Sequence, residues 1–262
     1  MTPHPDASIH LSVVLPCYKP KPGWHLAVAD QYQQLKNSLP GTEFEFIVVN
    51  DGSPDNLTVA AKRWLRRKCS NIKLITYDTN QGKGFAVRRG VQAARAPYVI
   101  YTDIDFPYTI ADICSIYQLL SDGRADVIMG VRELSYTQQL SWLRRAASNS
   151  CNFLNLMLLN LPYRDVQSGI KGMNITGRQL LLKTSINRFL FDTEFIWLAN
   201  RYDNVNIRAL PVTLREGISF TSMAASVYLK ETKNFLKIFY LDKLLLLRRI
   251  DHAFQRLIPR TA

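Results

Sequence analysis

Two carboxylates, Asp103 and Asp105, close the apolar run Pro97-Tyr98-Val99-Ile100-Tyr101-Thr102. On extended backbone, side chains two apart lean to the same side, so a hard divalent cation could bridge the pair to the phosphates of a ligand. The same short pattern also fits an Asx turn at a strand's end. Asp51 follows another apolar run, Phe44-Glu45-Phe46-Ile47-Val48-Val49, within Asn50-Asp51-Gly52-Ser53-Pro54-Asp55. There a carboxylate could accept hydrogen bonds from a ribose or a base, or belong to a turn in which Ser53 or Asp55 caps the next helix. Asn80-Gln81-Gly82-Lys83-Gly84 is a glycine-bearing loop opening a helix, whose N-terminus beside Lys83 attracts anions. Its spacing is not that of a Walker loop.

These residues need elements to hold them. Leu11-Ser12-Val13-Val14-Leu15-Pro16, residues 44–49, Ile72–Tyr77, the run before Asp103 and Ala125–Gly130 are short and rich in β-branched or aromatic residues, as buried strands are. Between them, residues 24–39, 56–67 and about 109–121 have helical composition. Strands alternating with helices at this spacing predict an α/β fold: a parallel sheet with helices on both faces. Such sheets bind ligands beyond the carboxyl ends of their strands. Asp51, Asn80, Asp103 and Asp105 all stand just past expected strand ends, so one fold assumption gathers them on one rim.

The chain has 262 residues, 47% hydrophobic and 21% charged, enough for one large domain or two small ones with a full core. Cys17, Cys69, Cys114 and Cys151 are scattered without C-x-x-C spacing or histidine partners, which argues against zinc and a disulfide framework and for a reducing compartment. The N-terminus lacks the basic start and apolar core of a signal peptide, so the sequons at Asn56 and Asn174 are expected to be unused. No transmembrane helix is expected, because the apolar cluster 234–250 is broken by Lys237, Asp242 and Lys243. The net charge of +12 is compatible with nucleic acid, an anionic membrane surface or phosphorylated substrates. Between Ser226 and Ala262, eight Lys and Arg face Glu231, Asp242 and Asp251, giving five of those twelve charges. No nucleic-acid-binding motif is present. On a helical wheel, Lys230, Lys233, Lys237, Arg248, His252 and Arg256 oppose Phe235, Phe239, Leu246, Ile250, Phe254 and Leu257. A basic amphipathic helix of this kind could lie on an anionic membrane surface, or pack on its own domain or in a homodimer.

Val13-Val14-Leu15-Pro16-Cys17-Tyr18, Val49 to Asp55, Asn80 to Arg88 and Thr102-Asp103-Ile104-Asp105 together resemble family 2 inverting glycosyltransferases of the GT-A fold, especially the branch making dolichyl- or polyprenyl-phosphate sugars. The resemblance spans roughly residues 9–220. It implies a Rossmann-like, mostly parallel central sheet with helices on both faces, followed by the C-terminal amphipathic helix. It also implies that Pro16, Tyr18, Asp51, Asn80 and Lys83 hold the donor nucleotide, while Asp103 and Asp105 engage Mg2+ or Mn2+ and the sugar diphosphate. Asn50 replaces the first of two aspartates often found before Gly-Ser, and Pro107 stands where the branch often has a metal-contacting glutamine, which implies fewer protein ligands to the metal. By the same resemblance, Arg132, Ser168 and Lys171 of Asp165–Lys171, and Arg215 of Arg215–Ser219, surround an acceptor phosphate. The lysine usual after the last serine is Phe220 here.

Chemistry agrees with a phosphate acceptor. A sugar hydroxyl needs a general base, whereas a phosphate monoester is already ionised near neutrality and needs only cations to place it. Asp192 and Glu194 are candidate bases for a hydroxyl acceptor, or else the acidic first turn of a helix through Ala199. The expected activity is metal-dependent, inverting transfer of a hexose from a GDP-mannose- or UDP-glucose-type donor to a polyprenyl phosphate, peripherally at the cytoplasmic membrane face. The rivals are transfer to a saccharide hydroxyl and a non-catalytic nucleotide-sugar-binding scaffold. Residues 1–225 would form the catalytic domain and 226–262 the tail.

Overall fold

The computed structural model describes residues 8–53, 57–132, 155–215 and 231–244. Strands β1 (Leu11–Cys17), β2 (Phe44–Asp51), β3 (Ile72–Tyr77), β4 (Tyr98–Tyr101), β5 (Val127–Arg132), β6 (Lys171–Met173) and β7 (Ile207–Val212) form one sheet in the order β3-β2-β1-β4-β6-β5-β7. All neighbours are parallel except β6, which runs antiparallel between β4 and β5. The expected parallel sheet is therefore mostly parallel, with one reversed strand. Helices α1 (Trp24–Ser38), α2 (Val59–Lys68), α3 (Lys83–Ala93), α4 (Ile110–Ser121), α5 (Ile175–Leu182) and α6 (Phe191–Ala199) cover its faces, and residues 231–244 are helical.

Strand alternation divides the core in two. Leu11, Val13 and Leu15 of β1 and Phe44, Phe46 and Val48 of β2 point to the side of α1, α2 and α4. Val14, Ile47 and Val49 point to the other, where Phe191, Phe195 and Ile196 of α6 pack, together with Ile238 of the last helix. Helix α2 is capped by Thr58, whose side chain accepts from the Ala61 amide, not by Ser53. The Ser53 hydroxyl instead accepts from the Lys19 amide, tying the β1 loop to the β2 loop. The expected cap Asp55, along with Cys151, residues 216–220 and the tail beyond 244, lies outside the described residues.

Candidate active site

Beyond the carboxyl ends of β1, β2 and β4 lies a cavity of about 680 Å³. Pro16, Tyr18, Asp51, Asn80, Lys83, Asp103 and Asp105 all line it, so the fold gathers seven of the eleven expected site residues around one space. Arg132, Ser168, Lys171 and Arg215 do not line it.

The segment carrying the two acids is not extended as its spacing suggested. It is a turn closed by the Phe106 amide donating to the Asp103 carbonyl at 2.9 Å, with Phe106 at φ 46°. The short β4 ends at Tyr101, and the turn sets both carboxylates at the cavity wall. Asp103 accepts a 2.6 Å ion pair from Lys83 and its side chain is 33% exposed. Asp105 is exposed, yet its low-dielectric surroundings and then the Asp103 charge push its carboxyl above the ordinary range. Burial works to lower the Lys83 ammonium, but Asp103, Asp192 and Asp105 outweigh it and hold the ammonium raised. Lys83 thus faces two acids, and Lys21 also acts on Asp105. Gly169 lies so close that a Cβ there would sit 2.4 Å from Asp103 Oδ2, so a side chain at this position would displace the carboxylate.

Asp51 has a further task. Its oxygens accept from the Gln81 amide at 2.7 Å, the Gly82 amide at 2.9 Å and the Asn80 side-chain amide at 2.8 Å, which fixes the 80–82 loop over β2. Gly52 makes that approach possible: it stands at φ 70°, and a Cβ there would meet the Asn80 nitrogen at 2.5 Å. The N-terminus of α3 is not the open anion site its sequence suggested. Its Gly84 amide donates to the Asn187 carbonyl at 2.8 Å, and the neighbouring Gly82 amide is held by Asp51.

The four residues expected around an acceptor phosphate sit on the adjoining side. Arg132 grips Asp165 through its backbone amide and Nε, both at 2.9 Å, and through a second guanidinium nitrogen. The Ser168 hydroxyl donates to the Gly130 carbonyl, and Ser168 is wholly buried. Lys171 is 0% exposed and donates to Asp192 at 2.6 Å and to the Ser168 carbonyl at 2.8 Å. Burial draws its ammonium below the ordinary value, opposed by Asp192. Arg215 is exposed, and its amide donates to the Pro107 carbonyl at 2.9 Å, so it stands directly behind the acidic turn. Tyr108 links the two sides: its hydroxyl accepts from the Gly169 amide at 3.0 Å, and both Arg132 and Asp103 act on it electrostatically.

Asp192 and Glu194 do fall in the acidic first turn of α6. Both are buried and engaged. Asp192 accepts from the Tyr101 hydroxyl at 2.5 Å as well as from Lys171. Glu194 accepts from the Ser185 amide and hydroxyl and the Ile186 amide at 2.7 to 2.9 Å. Four cavity residues carry no signal in the sequence. Arg188 and Phe189, between α5 and α6, and Lys19 and Lys21, after β1, line it too. Pairs from distant segments leave no local spacing to find them by.

Oxygen donors suit a hard cation, which commonly takes one or two carboxylates and fills its remaining positions with phosphate oxygens and water. Asp103 and Asp105 fit that description. Among the described residues no group of three or more His, Cys, Asp or Glu is placed to hold a metal.

An open sheet with a cavity of this size beyond its strand ends, walled by paired acids and several cations, is the layout of an α/β enzyme handling a phosphorylated ligand. The chain belongs to Glycosyl transferase family 2, whose model matches residues 12–189, and it is a glycosyltransferase. It is 28% identical over 222 residues to a dolichyl-phosphate beta-glucosyltransferase of Drosophila melanogaster, covering 79% of this chain and 67% of that protein. A protein of the same name from Dictyostelium discoideum is 25% identical over 225 residues, covering 81% and 68%. The solved glucosyl-3-phosphoglycerate synthase of Mycobacterium tuberculosis, in complex with Mn2+, uridine diphosphate and phosphoglyceric acid, superposes with a TM-score of 0.62 at 16% identity, over 90% of this chain and 79% of that one. The expected GT-A architecture is present.

Proposed function

We propose that the protein transfers a hexose from a nucleoside diphosphate sugar to a polyprenyl phosphate with inversion. The observation that carries this is the pair Asp103 and Asp105 facing a cavity that Pro16, Tyr18, Asn80 and Lys83 also line. The names of the similar Drosophila and Dictyostelium proteins support the lipid phosphate acceptor. Asp103 and Asp105 would hold Mg2+ or Mn2+, which when bound neutralises charge on the departing diphosphate. Lys83 adds a fixed positive charge beside them. An acceptor phosphate oxygen forms the new bond to the anomeric carbon as the bond to the donor diphosphate breaks on the opposite face. No proton need be removed from that oxygen. The engagement of Asp192 and Glu194 by buried donors favours this over a hydroxyl acceptor, which would need one of them free as a base.

Among the described residues no helix is long and apolar enough to cross a membrane. The tail, residues 226–262, is proposed to bring the catalytic unit of residues 1–225 to the anionic cytoplasmic face of the membrane that carries the acceptor. The test is incubation of the purified protein with Mn2+, a polyprenyl phosphate and, in turn, GDP-mannose, UDP-glucose and UDP-N-acetylglucosamine. A glycosylated lipid phosphate from one donor is expected. Transfer to free or lipid-linked saccharides with none to the lipid phosphate would overturn the proposal, and nucleotide binding without any transfer would favour a scaffold.

A further inference from the structure

The loop between α5 and α6, residues 183–190, is hydrogen-bonded along its backbone to α3, α6 and the last helix. The Asn187 carbonyl accepts from Gly84 at the start of α3, and the Ile186 carbonyl accepts from Arg88 at 2.7 Å. Glu194 holds the amides of Ser185 and Ile186, and Glu231, on the last helix, accepts from the Leu190 amide at 3.1 Å. Gly82 completes the clamp, because a Cβ there would lie 2.4 Å from the Asn187 oxygen and 3.3 Å from Arg188 Cγ. A segment ordered from three elements at once presents its remaining side chains in fixed positions, which is what a binding group requires. Those that line the cavity are Arg188 and Phe189.

Of the four cations that line the cavity, Lys19 and Lys21 are exposed, which leaves Lys83 and Arg188 as the half-buried ones. Lys83 is paired with Asp103, and away from the cavity Arg132 and Lys171 are paired with Asp165 and Asp192. Arg188 is half-buried, its stem lies against Gly82 beside Lys83, and among the described residues its guanidinium has no hydrogen-bond or ion-pair partner. A half-buried guanidinium without an internal acceptor, aligned with a space for a phosphorylated ligand, has its donors available to phosphate oxygens, which its planar fork can meet two at a time. Phe189, 41% exposed, adds an apolar edge next to it. We infer that Arg188 is a phosphate-binding residue of this cavity that positions the reacting ligand. The inference deepens the proposed transfer and rests on it.

Two phosphates could be held there, the donor's diphosphate or the acceptor's monoester, and measurement separates them. Wild type, Arg188→Ala and Arg188→Lys are compared by calorimetry with UDP and with GDP in Mn2+, and by KM for a polyprenyl phosphate. Loss of a charge-assisted pair is expected to weaken one of these about tenfold or more. The lysine variant should recover part of the loss, since it keeps the charge but not the fork. A weaker nucleoside diphosphate with unchanged acceptor KM puts the guanidinium on the donor; the reverse puts it on the acceptor. No change beyond twofold in either quantity, for both variants with unaltered thermal unfolding, overturns the inference. Failure of the wild type to use polyprenyl phosphate would refute the proposed acceptor, while the nucleotide arm would still decide the role of Arg188.

Discussion

The two sides of the sheet's carboxyl rim treat charge in opposite ways. Along β1, β2 and β4, acids stand open: Asp103 and Asp105 face the cavity, with Lys83 paired to Asp103 and Lys21 also acting on Asp105. Along β5 and β6, cations are closed in. Arg132 is bound to Asp165, and Lys171, fully buried, is bound to Asp192 and the Ser168 carbonyl. The first side is poised to take up a cation together with a ligand's phosphates. The second already contains the counter-ions for its own positive charge, so its residues hold geometry as well as offering attraction. Residues of matching type can therefore play different parts, according to whether the fold supplies their partners.

The difference is broken most severely on the open side. Asp105→Asn removes a carboxylate that no described hydrogen bond to another side chain requires for folding. Loss of metal-assisted charge stabilisation, worth several kcal/mol, should cut turnover about a hundredfold or more. The unfolding midpoint should stay near that of the wild type, because the Asp103 charge acting on Asp105 is relieved. Turnover within about threefold of wild type, measured with saturating donor and Mn2+, would contradict the metal role.

On the closed side the same aspartate-to-asparagine change should strike stability first. Asp192→Asn leaves the buried Lys171 ammonium without its counter-ion, a loss of about 3 to 5 kcal/mol in urea unfolding. Lys171→Met combined with Asp192→Leu should recover much of that loss, since a buried pair replaced by apolar residues of similar size is often tolerated. If Asp192→Asn unfolds with the wild-type midpoint, the pair is not holding the fold and the contrast between the two sides fails.

Much of this layout was readable from the chain. Strand β3 runs from Ile72 to Tyr77 as its apolar pattern indicated, and α4 begins after Thr109, whose side chain and Asp112 form a reciprocal cap. The convergence of Asp51, Asn80, Asp103 and Asp105 followed from one assumption about parallel sheets, and the structure brings them to one cavity. Strand β6 could not be read, because three residues, Lys171–Met173, are too few to show a period. Its middle residue, Gly172, lies against Ile116 and Leu120 of α4, where a Cβ would sit 2.2 Å from Ile116 Cγ2. The counter-ions were hidden for a related reason. Asp192 is 21 residues from Lys171 and Asp165 is 33 from Arg132, so only the folded chain shows that these charges are spoken for. The place of Asp51 at a strand end points to a nucleotide, and the same place lets it fasten the 80–82 loop.

The last helix repeats the contrast between closed and open sides on a single element. Its inner face is committed: Ile238 is 0% exposed, and Asp242 accepts from the Trp197 indole at 2.7 Å, so residues 231–244 pack on the catalytic core. Its outer face carries Lys233, Leu236, Tyr240 and Lys243, all exposed, with Leu236 and Tyr240 unusually large apolar groups to leave in water. Cutting the chain before Asn234 would disturb both faces at once and could not tell them apart. Ile238→Ala should cost about 2 to 5 kcal/mol of stability, the range for emptying a buried aliphatic site, and leave vesicle binding per folded molecule unchanged. Lys233→Gln should do the reverse. Near an anionic surface each such charge contributes about 1 kcal/mol, so partitioning onto phosphatidylserine vesicles should fall roughly fivefold with stability unmoved. Equal partitioning of Lys233→Gln and wild type across low and moderate salt would show that this face meets no membrane, and the helix would then serve the core alone.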